Sequence, residues 1–432
     1  VSLLSLAPYA DALRAPMFPV GGRLMRSVGL LLEASGPMLP VGSLVSVDNV
    51  AAEVVGFRDG ELLLLAIEEA RGLKPGARVK PLKLRFPVGP WIMGRILDGL
   101  GRPLDGKPLS ALGEDLEWDL MPPALDERQP VEHPFDTGVR AINGLLTLGR
   151  GQKIGIFSMP GAGKSTLFAM MARASAADAI VIALIGERGR EAREFIDELL
   201  GNFALERSVV IVVTGDQPAP MRIKGAFLAT AVASWLRRQG LDVLLLMDSL
   251  TRVAMAQREV GLASGEPPTN RGYPPSVYAL IPRLVEQAGQ FRRGSVTGIY
   301  TVLLHEEEND VVGEMAKGTL DGHIVLSSKI ARRGHYPAID VLDSVSRVFN
   351  RVSEPAHAQA RSRFVDLYAR WRDAEELIAF GQYTPGADPR MDEAVTLHDR
   401  MDGFLRQRLT EGVSLPDSVN QLKEVVRLDE KQ

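Results

Sequence analysis

The sequence predicts an α/β protein in which a helix-covered parallel sheet follows a small β-barrel and precedes a helical region. Three observations point there. From residue 17 to about 85, short apolar runs are separated by glycine and proline; from 150 to about 345, apolar runs of strand length alternate with helix-length segments; after about 350, an apolar helical period takes over. The expected divisions are 1–85, 86–350 and 351–432.

The first division contains "LMRSVGLLLEASG", "LVSVDNV", "AEVVGF" and "ELLLLAIEEARGLKPGARV". Several short strands with turn residues between them suggest a small barrel. The stretch to about 135, with "GPWIMGRILDGLGRPLDGKPL" and "MPPALDERQPVEHP", is rich in turn residues and reads as an irregular connector. The core runs are "KIGIF" (153–157), "AIVIALI" (179–185), "SVVIVVT" (208–214), "DVLLLMD" (242–248) and "TGIYTVLL" (297–304). Strands apolar on both faces and separated by helices belong to a parallel sheet. In the last division Phe364, Leu367, Tyr368, Trp371, Ala374 and Ile378 recur at the spacing of one helical face, and "GQYTPGADP" ends that helix.

At 432 residues, 45% hydrophobic and 24% charged, the chain has the balance of a globular protein of two or three domains. A net charge of -4 supplies no general basic field, so nucleic acid is not expected as a partner. The absence of cysteine excludes disulfides, zinc–thiolate sites, iron–sulfur clusters and a thiol nucleophile. His133, His305, His323, His335, His357 and His398 are scattered without metal-ligand pairing, so a metal is expected only together with a ligand that brings it. The apolar runs "LLLLAI" and "IVIALI" are much shorter than the ~20 residues a membrane helix needs. "VSLLSLAPYADALR" has no basic leader before its apolar residues, and a cytoplasmic location with peripheral membrane contact is expected.

"SMPGAGKST" (158–166) follows the strand "KIGIF" and runs into the helix "TLFAMMARAS". It matches the phosphate-loop pattern G-x-x-x-x-G-K-[ST] except at its first position, where Ser158 replaces glycine. Amides at a helix N-terminus bind phosphate, and those from Gly161 through Ala162, Gly163, Lys164, Ser165 and Thr166 are retained; only Pro160 has no amide to give. Lys164 then meets the terminal phosphates and Ser165 holds Mg²⁺. The plain alternative is a turn that caps a helix.

Two further strand ends carry chemistry. Asp248 ends "DVLLLMD", where a carboxylate reaches a nucleotide's Mg²⁺ through water; capping the next helix, with Ser249 or Thr251, is the alternative. Glu187, Arg188 and Arg190 follow "ALIG", where Glu187 is placed to polarise an attacking water; a solvated helix start is the alternative. Gly186 and Gly189 favour the first reading, since glycine lets backbone approach a ligand. Tyr336, a flat ring, and Arg347, a cation, lie in "GHYPAIDVLDSVSRVF", and their chemistry alone assigns neither.

These segments, with "GVRAINGLLTLGRGQKIGIF", "GERGREAREFI" and "DSLTRVAMAQREVGLASGEPPTNRGYPPSV", resemble in order and spacing the ATPases of type III protein secretion and flagellar export, relatives of the rotary ATP synthase catalytic subunits. "HYPAIDVL" followed by "SVSRVF" leans towards the virulence-type branch. The resemblance implies an oligomerising barrel, a RecA-like P-loop core and a helical region facing cargo and chaperones. It also implies a homohexamer with sites between neighbours, working with a stalk and regulator on chaperone–effector complexes. By position Glu187 matches the catalytic glutamate, Arg188 a phosphate-contacting arginine, Arg347 an arginine delivered across the interface, and Tyr336 an aromatic near adenine. ATP and Mg²⁺ are the implied ligands. Met159 and Pro160 replace a smaller, glycine-containing pair, Ser328 an arginine and Asn143 an aspartate. A rotary synthase subunit, a hexameric nucleic-acid translocase and a nucleotide-binding scaffold without turnover are the alternatives.

Overall fold

The computed structural model describes residues 21–427 except 117, 119, 120 and 305–309. Phe18, His305 and the first residues of "HEEENDVVGEMAKGT" lie outside the described residues.

Six strands form a closed barrel: β1 (Gly22–Val28), β2 (Leu31–Ser35), β3 (Leu44–Val47), β4 (Val50–Arg58), β5 (Glu61–Ala66) and β6 (Arg78–Pro81), in the order β1-β2-β5-β4-β3-β6. Alternation along each strand points one set of side chains inward, and Leu32, Val45, Val54, Leu64 and Val79 fill the interior.

The connector then contributes β7 (Ile96–Leu97), and helix α1 (Arg140–Leu145) leads into the core. Its elements are β8 (Lys153–Ser158), α2 (Lys164–Ala174), β9 (Ala179–Ile185), α3 (Gly189–Glu194), β10 (Ser208–Val213), α4 (Ala219–Arg238) and β11 (Asp242–Asp248). They continue with α5 (Leu250–Ala263), α6 (Pro275–Val285), β12 (Ser295–Leu303), α7 (Val311–Thr319), β13 (Gly322–Leu326) and β14 (Ile339–Ser346). The main path of the sheet runs β14-β13-β8-β12-β11-β9-β10-β7, parallel except that β14 is antiparallel to β13, and two short strands off this path, Arg128–Gln129 and Gly289–Phe291, add antiparallel pairs beside β12. Every residue of β9 is buried. Val181, Ala183 and Ile185 face α4 and α5, and Ile180, Ile182 and Leu184 face α2, which is the double covering expected of a parallel sheet.

The five core runs are strands, but the sheet is wider than they imply. β7 is two residues long, too short to show a pattern, and exists because it pairs in register with Val210 and Ile211. β14 is the sheet's other edge and β13 lies next to it, and both carry polar residues among the apolar ones, mixing buried with more exposed positions. Edge strands leave a weak apolar signature.

Helices α8 (Pro355–Ala379), α9 (Pro389–Leu405) and α10 (Leu415–Val425) follow, the last of them near the end of the described residues. Phe364 is fully buried, with ring centroids 5.6 Å from Phe404 and 5.9 Å from Tyr368, in the same apolar cluster as α1 and α2. Phe364→Ala is therefore expected to cost about 3–5 kcal/mol in chemical denaturation, the range for emptying a packed aromatic site. Ile378, expected on that buried face, is 43% exposed because it stands at the tip of the α8–α9 hairpin, beside an exposed Phe380. Among the described residues no helix is long and apolar enough to cross a membrane.

Candidate active site

The strand order decides which residues meet. Because β8, β12, β11 and β9 are consecutive and parallel, the loops after β8, β9 and β11 open on the same end of the sheet. The loop after β8 turns into α2 through Gly161 (φ 81°) and Gly163 (φ 87°), both left-handed, with Gly163 as the helix N-cap. A Cβ on Gly163 would stand 3.3 Å from the Tyr336 ring, so a side chain there would crowd that ring. Ser158 is buried at the strand end, Ala162 is buried beneath the loop, and Pro160 is exposed at its tip.

Lys164, the first residue of α2, joins the two strand-end carboxylates. Its Nζ is 2.7 Å from Asp248 Oδ1 and 3.4 Å from Glu187 Oε1, and all three side chains are largely buried. Thr301 on β12 donates its hydroxyl to the same Asp248 oxygen at 2.7 Å. Burial, and next the nearby Asp248 carboxylate, hold the Glu187 acid above the ordinary carboxylate range, while Lys164 pulls the other way. A carboxylate of raised pKa is a stronger base, which suits it to take a proton from water near neutral pH.

The helix-capping alternative for Asp248 is answered locally. Ser249 is the N-cap of α5, its Oγ accepting the Arg252 amide at 3.2 Å, and Thr251 Oγ1 accepts the Leu303 amide at 2.9 Å. Asp248 is left to Lys164 and Thr301. The glycine signal beside Glu187 has a different cause from the one expected. Gly186 is left-handed (φ 78°) and a Cβ there would lie 2.8 Å from Arg252 Cβ, while Gly189 is the first residue of α3 with ordinary space around it.

A cleft of about 1230 Å³ opens over these groups, lined by the phosphate loop including Ser165 and Thr166, and by Glu187, Asp248, Arg252 and Tyr336. Arg188 reaches its rim with a side chain 83% exposed, 3.4 Å from Glu191. Arg347 lies elsewhere: it is exposed beyond β14 and donates to the Lys317 carbonyl at 3.1 Å. The structure therefore brings Gly161, Gly163, Lys164, Ser165, Thr166, Glu187, Arg188, Asp248 and Tyr336 to one cleft, while Ala162 is buried beneath the loop, Arg190 is exposed beside Glu194, and Arg347 stands apart. The loop amides, Lys164, Arg188 and Arg252 offer donors for a polyphosphate. The Ser165 hydroxyl and the Asp248 carboxylate are the hard oxygens that magnesium takes, the rest of its shell being water and phosphate, so the donor set fits that ion.

Sequence reasoning missed three contributors. Arg252, whose buried Nε has no hydrogen-bond partner among the described residues, stands one helical turn after Asp248, and that spacing could have flagged it. Thr301 is visible only through the sheet order. The turn 406–411 between α9 and α10 also lines the cleft, beside Tyr336, some seventy residues away in sequence.

Residues 138–346 match the model of the ATP synthase alpha/beta family nucleotide-binding domain, and 353–424 that of the T3SS EscN ATPase C-terminal domain. The chain is 47% identical over 430 residues to the flagellum-specific ATP synthase of Pseudomonas aeruginosa, an alignment covering 96% of this chain and 95% of that one. The chain belongs to the type III secretion and flagellar export ATPases. A type 3 secretion system ATPase of Sinorhizobium fredii is 46% identical, with 92% and 90% covered, so identity does not separate the two branches of the family. The assembled ATPase EscN of the enteropathogenic E. coli type III secretion system superposes with a TM-score of 0.89 at 41% identity, covering 94% of this chain and all of that one. EscN in complex with its central stalk EscO gives 0.88 at 40% identity, with the same coverage. As a member of this family the chain is an ATP-hydrolysing enzyme of type III export.

Proposed function

We propose that the cleft binds Mg·ATP and that its hydrolysis, in a homohexamer, drives protein export by releasing chaperones from secreted substrates and unfolding them. The observation that carries this is Lys164 held between Glu187 and Asp248 at the foot of the cleft, with the helix-α2 amides beside it. The β- and γ-phosphates lie on the amides of Gly161 to Thr166, with Lys164 against their charge, and the base rests on Tyr336. Glu187 accepts a proton from the water that attacks the γ-phosphorus in line, as the bond from that phosphorus to the β–γ bridging oxygen breaks and ADP leaves with the electron pair. Arg188, and Arg347 of a neighbouring copy, hold the charge that develops on the phosphoryl oxygens. Ser165 and Asp248 would hold magnesium, which would supply neutralisation of phosphate charge when bound. The assembled EscN and its complex with a central stalk support a ring working around a stalk partner. The export ATPases among the relatives suggest a place for it at the cytoplasmic face, peripheral to the inner membrane.

Lys164→Ala tests the phosphate site directly. It is expected to weaken ATP binding by more than about tenfold in calorimetry, the size of one charge-assisted interaction, and to remove steady-state phosphate release. Unchanged affinity would place the nucleotide elsewhere.

A further inference from the structure

Tyr336 belongs to a strap, Gly334 to Tyr336, that is tied residue by residue to the helical region. The Gly334 carbonyl accepts from the Arg406 guanidinium at 3.0 Å. His335 Nδ1 is 2.9 Å from Asp402 Oδ1. The Tyr336 carbonyl accepts the Gln407 amide at 3.0 Å. Asp402 also takes Arg406 Nε on its second oxygen at 2.5 Å, so one carboxylate holds both neighbours. The turn is in turn fastened to the core: Gln407 Oε1 accepts the Arg140 amide at 2.7 Å and its Nε2 donates to the Gly138 carbonyl at 2.8 Å.

His335 is 5% exposed, and burial holds its imidazole below the ordinary histidine range. At neutral pH the contact is then a neutral Nδ1–H donated to a carboxylate, a strong hydrogen bond of fixed direction. The Tyr336 ring itself is 44% exposed and stands against Gly163, so where it sits depends on the strap that carries it. The ties of Gly334, His335 and the Tyr336 carbonyl touch none of the phosphate loop's donors, and only the Tyr336 ring reaches the loop, at Gly163.

We propose that Asp402 is a positioning residue for nucleotide affinity: by holding His335 and Arg406 it sets where Tyr336 stands, so the helical region tunes the base end of the cleft and leaves the phosphate end alone. This rests on the nucleotide reading above. It makes the α9–α10 turn the physical link through which a load on the helical region alters ATP affinity, and linkage requires that ATP act back on that load.

The test uses the full chain and two probes, ATP and inorganic tripolyphosphate, in direct and competitive titrations. Asp402→Ala is expected to weaken ATP about tenfold, the scale of one hydrogen bond to a charged group, with tripolyphosphate affinity and kcat at saturating ATP changed less than about twofold. Asp402→Asn keeps an acceptor for His335 and should recover most of the loss. Tyr336→Ala should lose ATP affinity similarly, and the double variant should lose no more, because the two changes act through one contact. If Asp402→Ala folds poorly, His335→Phe, which removes the donor and keeps the ring, is read in the same way. Equal weakening of both probes, or losses that add in the double variant, would overturn the proposal. A wild-type protein that binds neither probe would overturn the nucleotide reading first, and this one with it.

Discussion

Arg347→Ala lowers steady-state ATP turnover by about a thousandfold or more, with ATP affinity held within a few-fold, if the family's trans arginine acts here. The side chain is exposed on the far side of β14 and bonded to the Lys317 carbonyl, away from its own phosphate loop. An arginine so placed meets a developing phosphoryl charge only when a second copy presents its cleft. Wild-type specific activity should therefore rise with protein concentration until the ring saturates. The decisive measurement is complementation. Mixed with a variant lacking Glu187, the arginine-less chain still offers an intact cleft, and its partner an intact arginine, so activity returns at the mixed interfaces. A mixture as inactive as its components, or near-normal turnover by Arg347→Ala alone, would count against a shared site.

Glu187→Gln is expected to lower kcat by 10²–10⁴-fold, the range for losing a general base, while ATP still binds. The same change should not lower the melting temperature of the empty protein. Burial and Asp248 raise the folded-state pKa of Glu187 above its ordinary value of 4.5. A carboxylate whose pKa rises on folding costs stability above the folded pKa, where it is ionised, and relieves that cost as pH falls through it. The amide removes the charge and the cost together, and Lys164 keeps Asp248 at 2.7 Å. For turnover the sign is reversed: the base must be ionised, so kcat/KM, which follows the free protein, falls as pH drops through the raised pKa, with its acid limb above pH 4.5. A normal limb near that value, or a Glu187→Gln protein with ordinary kcat, would reassign the base.

Much of the core was legible because its signals are local. A strand buried on both faces must be apolar at every position, so "AIVIALI" and "DVLLLMD" announce themselves, and a phosphate loop is a contiguous run between one strand and one helix. The motif's missing glycine mattered less than its pattern implies, since the left-handed positions are Gly161 and Gly163, and Ser158 sits in ordinary strand conformation before them. Signals that needed a partner were misread or missed. Gly186 serves the packing of Arg252, a neighbour only through the fold. β7, β13 and β14 take strand form from the strands beside them rather than from their own composition.

By itself the sequence determined which residues carry charge and at which strand ends they stand, because strand burial and the loop-to-helix turn are written in consecutive residues. The tertiary structure alone decided who meets whom. Sheet order placed Lys164 between carboxylates twenty-three and eighty-four residues away and added Thr301 from an intervening strand, and the return of the chain through α9 set a turn against Tyr336. Such pairings depend on long loop closures that packing stabilises and that no local run of residues encodes.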